Sequence, residues 1–189
     1  MNIIKVKIAL KATVIKTGKL QPLNNCYILI PGSGGNIAIT LDNLPEISDT
    51  KGAVYNEEPI IGRATPLETY SHSESRVISI VLHFIITDGD FQTYIEYLRL
   101  IQSAVYPQNA TSNGAPFSPP PICQIKCGKL LADNPLCCIL LNYSVSFPTD
   151  VQWDEETYLP SKFDVTTSWR VVYASSNLPT QERIFTIGS

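Results

Sequence analysis

The sequence predicts a mainly β fold with one α-helix, a β-barrel or sandwich flanked by a single amphipathic helix. Three observations predict it. Residues 75–87 alternate in a thirteen-residue run, with Ile78, Ile80, Leu82, Phe84 and Ile86 on one wholly apolar face. Only one stretch, residues 90–106, carries a convincing helical stripe. The 189 residues are 44% hydrophobic and 16% charged, which excludes global disorder and supplies a full core without staples.

Each element follows from its local pattern. Residues 4–14 alternate, with Val6, Ile8, Leu10, Ala12 and Val14 facing one way and Lys5, Lys7, Lys11 and Thr13 the other. A turn is expected around Gly18. A short apolar run at 26–30 then closes at Pro31-Gly32, and residues 36–41 alternate again through Ile37, Ile39 and Leu41. These three runs read as a meander of antiparallel strands. Residues 42–69 have little period and several breakers, so they read as a long irregular contact arm. The polar run 71–75 reads as the loop entering the strand at 75–87, which would extend about 43 Å.

Asp88 or Asp90 is placed to cap the helix, and Phe91, Tyr94, Ile95, Leu98, Ile101 and Val105 form its apolar face. Tyr106-Pro107 ends it, because proline disfavours helix at the residue before it. Residues 107–121 read as a loop ending in an extended run of prolines. Strands resume at 122–127, 137–147 and 163–173, and residues 183–187 are a short terminal strand or an exchanged arm. The chain reads as one domain, with a C-terminal extension (176–189) after the period is lost beyond Ala174.

Net charge is −3, unevenly spread. The first 41 residues hold Lys5, Lys7, Lys11, Lys16 and Lys19 and no acid, which is either a solvated strand face or a basic patch. Specific duplex binding would need a larger basic stripe and a reading helix. No segment reaches the roughly eighteen apolar residues of a membrane span, and lysines interrupt any signal-peptide core. The sequons at Asn109 and Asn142 are therefore expected to stay unmodified.

The residues that could carry chemistry have structural readings. Cys123 and Cys127 share a strand face with Ile125, as small hydrophobes in a core. Zinc is the sharper alternative, but Cys137 and Cys138 are adjacent and would point to opposite faces of a strand. Cys26 makes the count five, an odd number. The histidines, His72 and His83, have no nucleophile signature beside them. The run from Pro31 to Asn36 lacks the lysine and the following helix of a phosphate loop, and reads as a glycine hairpin turn. Asp154, Glu155 and Glu156 form a charged loop before Pro160. Trp169 sits in strand period as core, while Trp153 is either edge packing or an interface anchor. No catalytic, cofactor-binding or metal-ligating residue is expected, and the chain reads as a non-enzyme.

Several segments resemble the baseplate and tail-tube-initiator proteins of contractile phage tails. They are Gly62-Arg63-Ala64-Thr65-Pro66 with Tyr70, Arg76 and the strand to Phe84, then the helix ending Ala104-Val105-Tyr106-Pro107. The proline lead-in Pro119-Pro-Pro-Ile-Cys-Gln-Ile-Lys-Cys-Gly128 follows, then Ser144-Val-Ser-Phe-Pro and Leu159-Pro-Ser-Lys-Phe-Asp-Val165. The likeness covers residues 59–175, a β core preceded by an N-terminal segment (1–58) in the same domain, and consists of patterns rather than chemical signatures. It implies a tail-tube-like fold and a homo-oligomeric, sixfold ring with strands joining between neighbours. The partners it implies are neighbouring tube and baseplate proteins, with DNA passing through the channel in passive contact, which the acidic overall balance of the chain suits, and no membrane. Assembly in the host cytoplasm and a final place in the virion would follow. From the residues alone, a monomeric β-barrel that binds a small apolar ligand fits the same strand pattern.

Overall fold

The fold is that of a computed structural model describing residues 25–32, 35–41, 43–87, 89–107, 119–174 and 178. The strand expected at 4–14 with its lysines, the turn at Gly18, Asp88, most of the proline-rich loop and the terminal strand at 183–187 lie outside the described residues.

The elements are β1 (Cys26–Gly32), β2 (Gly35–Thr40), β3 (Glu46–Thr50), β4 (Ala53–Glu58), β5 (Leu67–Ser73), β6 (Val77–Ile85), α1 (Phe91–Ser103), β7 (Cys123–Cys127), β8 (Leu136–Ser146) and β9 (Lys162–Val171). Seven strands form one antiparallel sheet in the order β2-β1-β7-β8-β9-β6-β3. β4 and β5 form a separate two-stranded ribbon. The described residues are mainly β with one helix, as the periodicity predicts.

Alternation fixes which face is inside. Ile78, Ile80, Leu82 and Phe84 of β6 lie beside Phe163, Val165, Thr167 and Trp169 of β9 on the buried face. Ile28 and Ile30 of β1 and Cys123, Ile125 and Cys127 of β7 continue that face. In β8 the apolar phase shifts, because Cys138 and Leu140 are even-numbered while Tyr143 and Val145 are odd. The ladder absorbs the shift with a bulge at Leu141: Leu140 opposes Trp169 and Asn142 opposes Ser168. All four side chains therefore keep to the core side.

The sheet is open, and β2 and β3 are its edges. The closed barrel is not formed, since these edges do not pair with each other among the described residues. The sheet nevertheless curls. Leu41 donates its amide to Cys26 O at 3.3 Å, and Asn43 donates Nδ2 to His83 O at 3.2 Å. Two chain steps thus bridge β1 and β6, which a flat sheet would hold about 19 Å apart. The curl encloses fully buried Trp169, Phe163, Ile28, Ile78 and Leu82.

Helix α1 packs on this core. Asp90 caps it, accepting from Thr93 N at 3.3 Å and Thr93 Oγ1 at 2.7 Å. Ile101 and Ala104 are buried, and Tyr94 meets Phe84 edge-on with centroids 5.8 Å apart. Gln92, Glu96, Arg99 and Ser103 face outward. The helix ends at Ser103 rather than at 106: Ala104 is its C-cap, its amide shared between Leu100 O and Ile101 O, and the chain then tightens to a turn in which Tyr106 N donates to Ser103 O at 3.1 Å.

Three expectations are corrected. The strand at 75–87 is nine residues, not thirteen: β6 runs from Val77 to Ile85, and single backbone bonds from Val171 N to Arg76 O (3.0 Å) and from Ile86 N to Ser161 O (2.8 Å) flank it. Residues 42–69 are not irregular, since β3, β4 and the start of β5 lie within them. Residues 71–75 are not a loop, because β5 runs through His72 to Ser73. Together these make residues 46–85 one long hairpin. Its near half, β3 and β6, belongs to the sheet. Its far half, β4 and β5, continues beyond Thr50 and Val77 through the bond from Glu74 N to Gly52 O at 2.9 Å.

Candidate functional site

The polar groups singled out in the sequence are dispersed. His72 is exposed on β5, where Nδ1 lies 3.1 Å from Ser71 Oγ. His83 is on β6, on the face opposite the core, with Nδ1 2.7 Å from Asp164 Oδ1 and Nε2 3.7 Å from Glu46 Oε1. The imidazole thus lies between two carboxylates, with Glu46 where a triad would place a hydroxyl or thiol.

Cys26, Cys123, Cys127 and Cys138 are buried and Cys137 is exposed, so the vicinal pair does point to opposite faces. Cys26 opposes Cys127 across β1 and β7 with sulfurs 2.7 Å apart, and Cys123 opposes Cys138 across β7 and β8. Burial pushes the Cys123 thiol up to about 11 and the Cys138 thiol up to about 12. Such thiols stay protonated and act as packing groups. Among the described residues no three His, Cys, Asp or Glu side chains are gathered as a metal site. The glycine run makes the β1–β2 hairpin, with Gly32 opposite Gly35.

The ribbon is the conspicuous feature. Six antiparallel pairs, from Ala53 opposite Ser73 to Glu58 opposite Leu67, carry it about 20 Å beyond the sheet. Nearly every residue in it is exposed on both faces. Tyr55 and Tyr70 pack edge-on at 5.8 Å, yet each remains 55% exposed. At the tip, Arg63 N donates to Ile60 O at 3.2 Å, and Gly62 takes φ 84°. That is the geometry of a type II turn, which needs glycine at its third position. The turn leaves Ile61 fully exposed.

A second feature lies in the loop between β8 and β9. A surface hollow of about 520 Å3 is walled by Phe147, Val151, Trp153, Tyr158 and Leu159. Trp153 and Tyr158 stack at 5.5 Å and 16°, and are 55% and 75% exposed. Tyr158 has φ 57°, the left-handed region that side-chain-bearing residues avoid. Bonds from Tyr158 N to Asp154 O (2.9 Å) and from Asp154 N to Leu159 O (3.0 Å) hold it there. The Thr157 hydroxyl, donating to Asp154 Oδ2 at 2.6 Å, keeps that carboxyl below the usual carboxylate range. On the other side of Trp153 a hollow of about 680 Å3 is lined by Asp154, Glu155, Gln152 and Phe91. Trp153 is thus a wall between an apolar slot and an acidic one.

Sequence reasoning weighed Trp153 as an anchor but missed Tyr158 and Phe147. The flanking Pro148 and Pro160 were the available signal. A scan against protein-family models gives no match, and a search of curated proteins gives none either.

Proposed function

We propose that the chain is a structural subunit of a contractile phage tail, forming a ring in the baseplate or at the baseplate end of the tail tube. The observation that carries the assembly reading is the exposed ribbon. An isolated two-stranded hairpin is marginal in water, and this one leaves Tyr55, Tyr70, Ile60 and Ile61 uncovered. Contact with a neighbouring subunit would bury those side chains and offset the cost of holding the arm extended. The sheet edges β2 and β3, with no strand on their outer sides among the described residues, are further surfaces for strand addition.

The finer reading, tail rather than another assembly, rests on the resemblance of residues 59–175. Its motif from Gly62 to Pro66, with Tyr70 and Arg76, falls on the ribbon tip, the ribbon and the ribbon's base. The order of elements, a strand pair, one helix and a closing set of strands, is compatible with a tail-tube-like unit. In this reading the chain works by shape and contact and has no catalytic role.

The test is immunogold labelling of tailed particles with antibody raised to the purified protein. Label at one end of the tail is expected. Unlabelled particles, with the protein confined to the soluble fraction, would overturn the reading.

A further inference from the structure

The ribbon and the aromatic slot lie at opposite ends of the sheet. β6 enters beside the ribbon at Val77, opposite Arg170, and leaves beside the slot at Ile85, opposite Lys162. The loop that forms the slot runs from Phe147, just past β8, to Ser161, just before β9. Nine residues of strand separate the two ends by about 30 Å. The ribbon extends the hairpin away from the slot, so the tip of one copy points away from its own slot.

The turn, residues 59–66, and the loop are complementary, while the ribbon's carboxylates, Glu57, Glu58 and Glu68, stand below the turn and outside that contact. The tip presents Ile61 at the summit of its turn, and two residues on it presents Arg63, the ribbon's one Lys or Arg. The receiving loop offers an apolar slot on one side of Trp153 and an acidic hollow on the other. Asp154 and Glu155 line the acidic hollow, Asp150 and Glu156 lie in the same loop, and no Lys or Arg occurs between Lys129 and Lys162. An isoleucine and a cation two residues apart can straddle an indole, and a guanidinium against its face gains cation–π attraction. The slot has little to hold a small polar ligand, since the Thr157 hydroxyl is already donated to Asp154. Tyr158 remains outside in a strained backbone conformation, which fits an aromatic kept for contact rather than for packing.

We propose that the ribbon tip of one copy, residues 59–66, seats on the loop around Trp153 and Tyr158 of a second copy. Ile61 fills the apolar slot and Arg63 meets the carboxylates of Asp154 and Glu155. This rests on the reading of the chain as an assembly subunit and names the contact through which it assembles. The contact is head-to-tail, so it leaves one tip and one slot free in every dimer and propagates until a ring closes or a stack forms.

Complementation of two full-length variants tests it. Ile61→Asp removes the tip and keeps the slot; Trp153→Ala removes the slot and keeps the tip. Both side chains are exposed, and an unchanged Trp169 fluorescence and unfolding midpoint check the fold. Mass is read by light scattering during size exclusion. The wild-type chain is expected to associate, each variant alone to weaken that association at least roughly tenfold, and an equimolar mixture to stop at a heterodimer. Tyr158→Asn, which suits the left-handed backbone, should behave as Trp153→Ala does. If both single variants assemble like the wild type, or their mixture stays monomeric while the wild type associates, the contact is elsewhere and the assembly reading stands. A wild-type chain that remains monomeric at the highest soluble concentration overturns the self-assembly reading together with this contact.

Discussion

Trp169 donates its indole Nε1–H to Thr167 Oγ1 at 2.8 Å, and the Thr167 hydroxyl in turn donates to Ile80 O at 3.0 Å. Both side chains are fully buried on the core face of β9. The hydroxyl therefore satisfies an indole N–H that has no access to water. Thr167→Val keeps the shape and removes that acceptor. It should cost about 1–3 kcal/mol, the penalty of an orphaned buried donor. Urea unfolding followed by indole fluorescence measures it, and a loss below about 0.5 kcal/mol, the level of an ordinary surface change, would contradict the assignment.

The bulge in β8 makes an unusual deletion tolerable. Without Leu141, Leu140 opposes Trp169 and Asn142 opposes Ser168 in an unbroken ladder, and Tyr143 and Val145 still face inward. Deleting Ser144 instead turns either Asn142 or the strand's end to the wrong side. The Leu141 deletion should retain cooperative unfolding, and the Ser144 deletion should lose several kcal/mol or fail to fold. Paired denaturation curves decide it. Equal damage from both would mean that the bulge does not set the register.

These two relationships mark where the sequence was legible. Apolar runs and alternation located β1, β2, β6, β7, β8 and β9 because each sends side chains into the core, from Ile39 alone in β2 to Ile78, Ile80, Leu82 and Phe84 in β6. β4 and β5 bury neither face. Ala53-Val54-Tyr55-Asn56-Glu57-Glu58 therefore shows no alternation, and the segment read as irregular. The same absence that hid the ribbon is what supports the proposal that it is a contact element. The slot was hidden for another reason: Trp153 and Tyr158 meet only because Tyr158 adopts a left-handed backbone conformation that no pattern of residue types announces.

Arg76 secures the point where the ribbon leaves the sheet. Its Nε donates to both oxygens of Asp49 at 2.9 and 3.0 Å, and Nη2 reaches Leu131 O at 3.2 Å. The bond to Asp49 holds the guanidinium still more firmly protonated than usual. Lysine keeps the charge but cannot present this fork. Arg76→Lys should cost about 1–2 kcal/mol and speed hydrogen exchange at the Glu74 amide, the last ladder bond at the ribbon's base. Exchange at Glu74 unchanged from the wild type would show that Arg76 does not hold the ribbon in place.

The buried thiols impose a pH dependence whose sign follows from their environment. In the unfolded chain they ionise near 9, whereas burial holds Cys123 to about 11 and Cys138 to about 12. Burial also raises Cys26. As pH rises through 9 the unfolded chain releases thiol protons that the native chain still keeps, so the native state becomes relatively less favourable. Their contribution is complete below pH 9 and is lost between about 9 and 12, at about 1.4 kcal/mol per pH unit for each thiol. Cys123→Ala removes one titrating group and should flatten the fall by that increment, whatever its effect on absolute stability. The comparison with wild type cancels the lysines and tyrosines that titrate in the same range. Native thiol counting at pH 8 should agree, with exposed Cys137 reacting at once and the other four only after denaturation. A slope unaltered by Cys123→Ala, or several thiols reacting quickly in the native protein, would mean that this row of cysteines is not buried in the core.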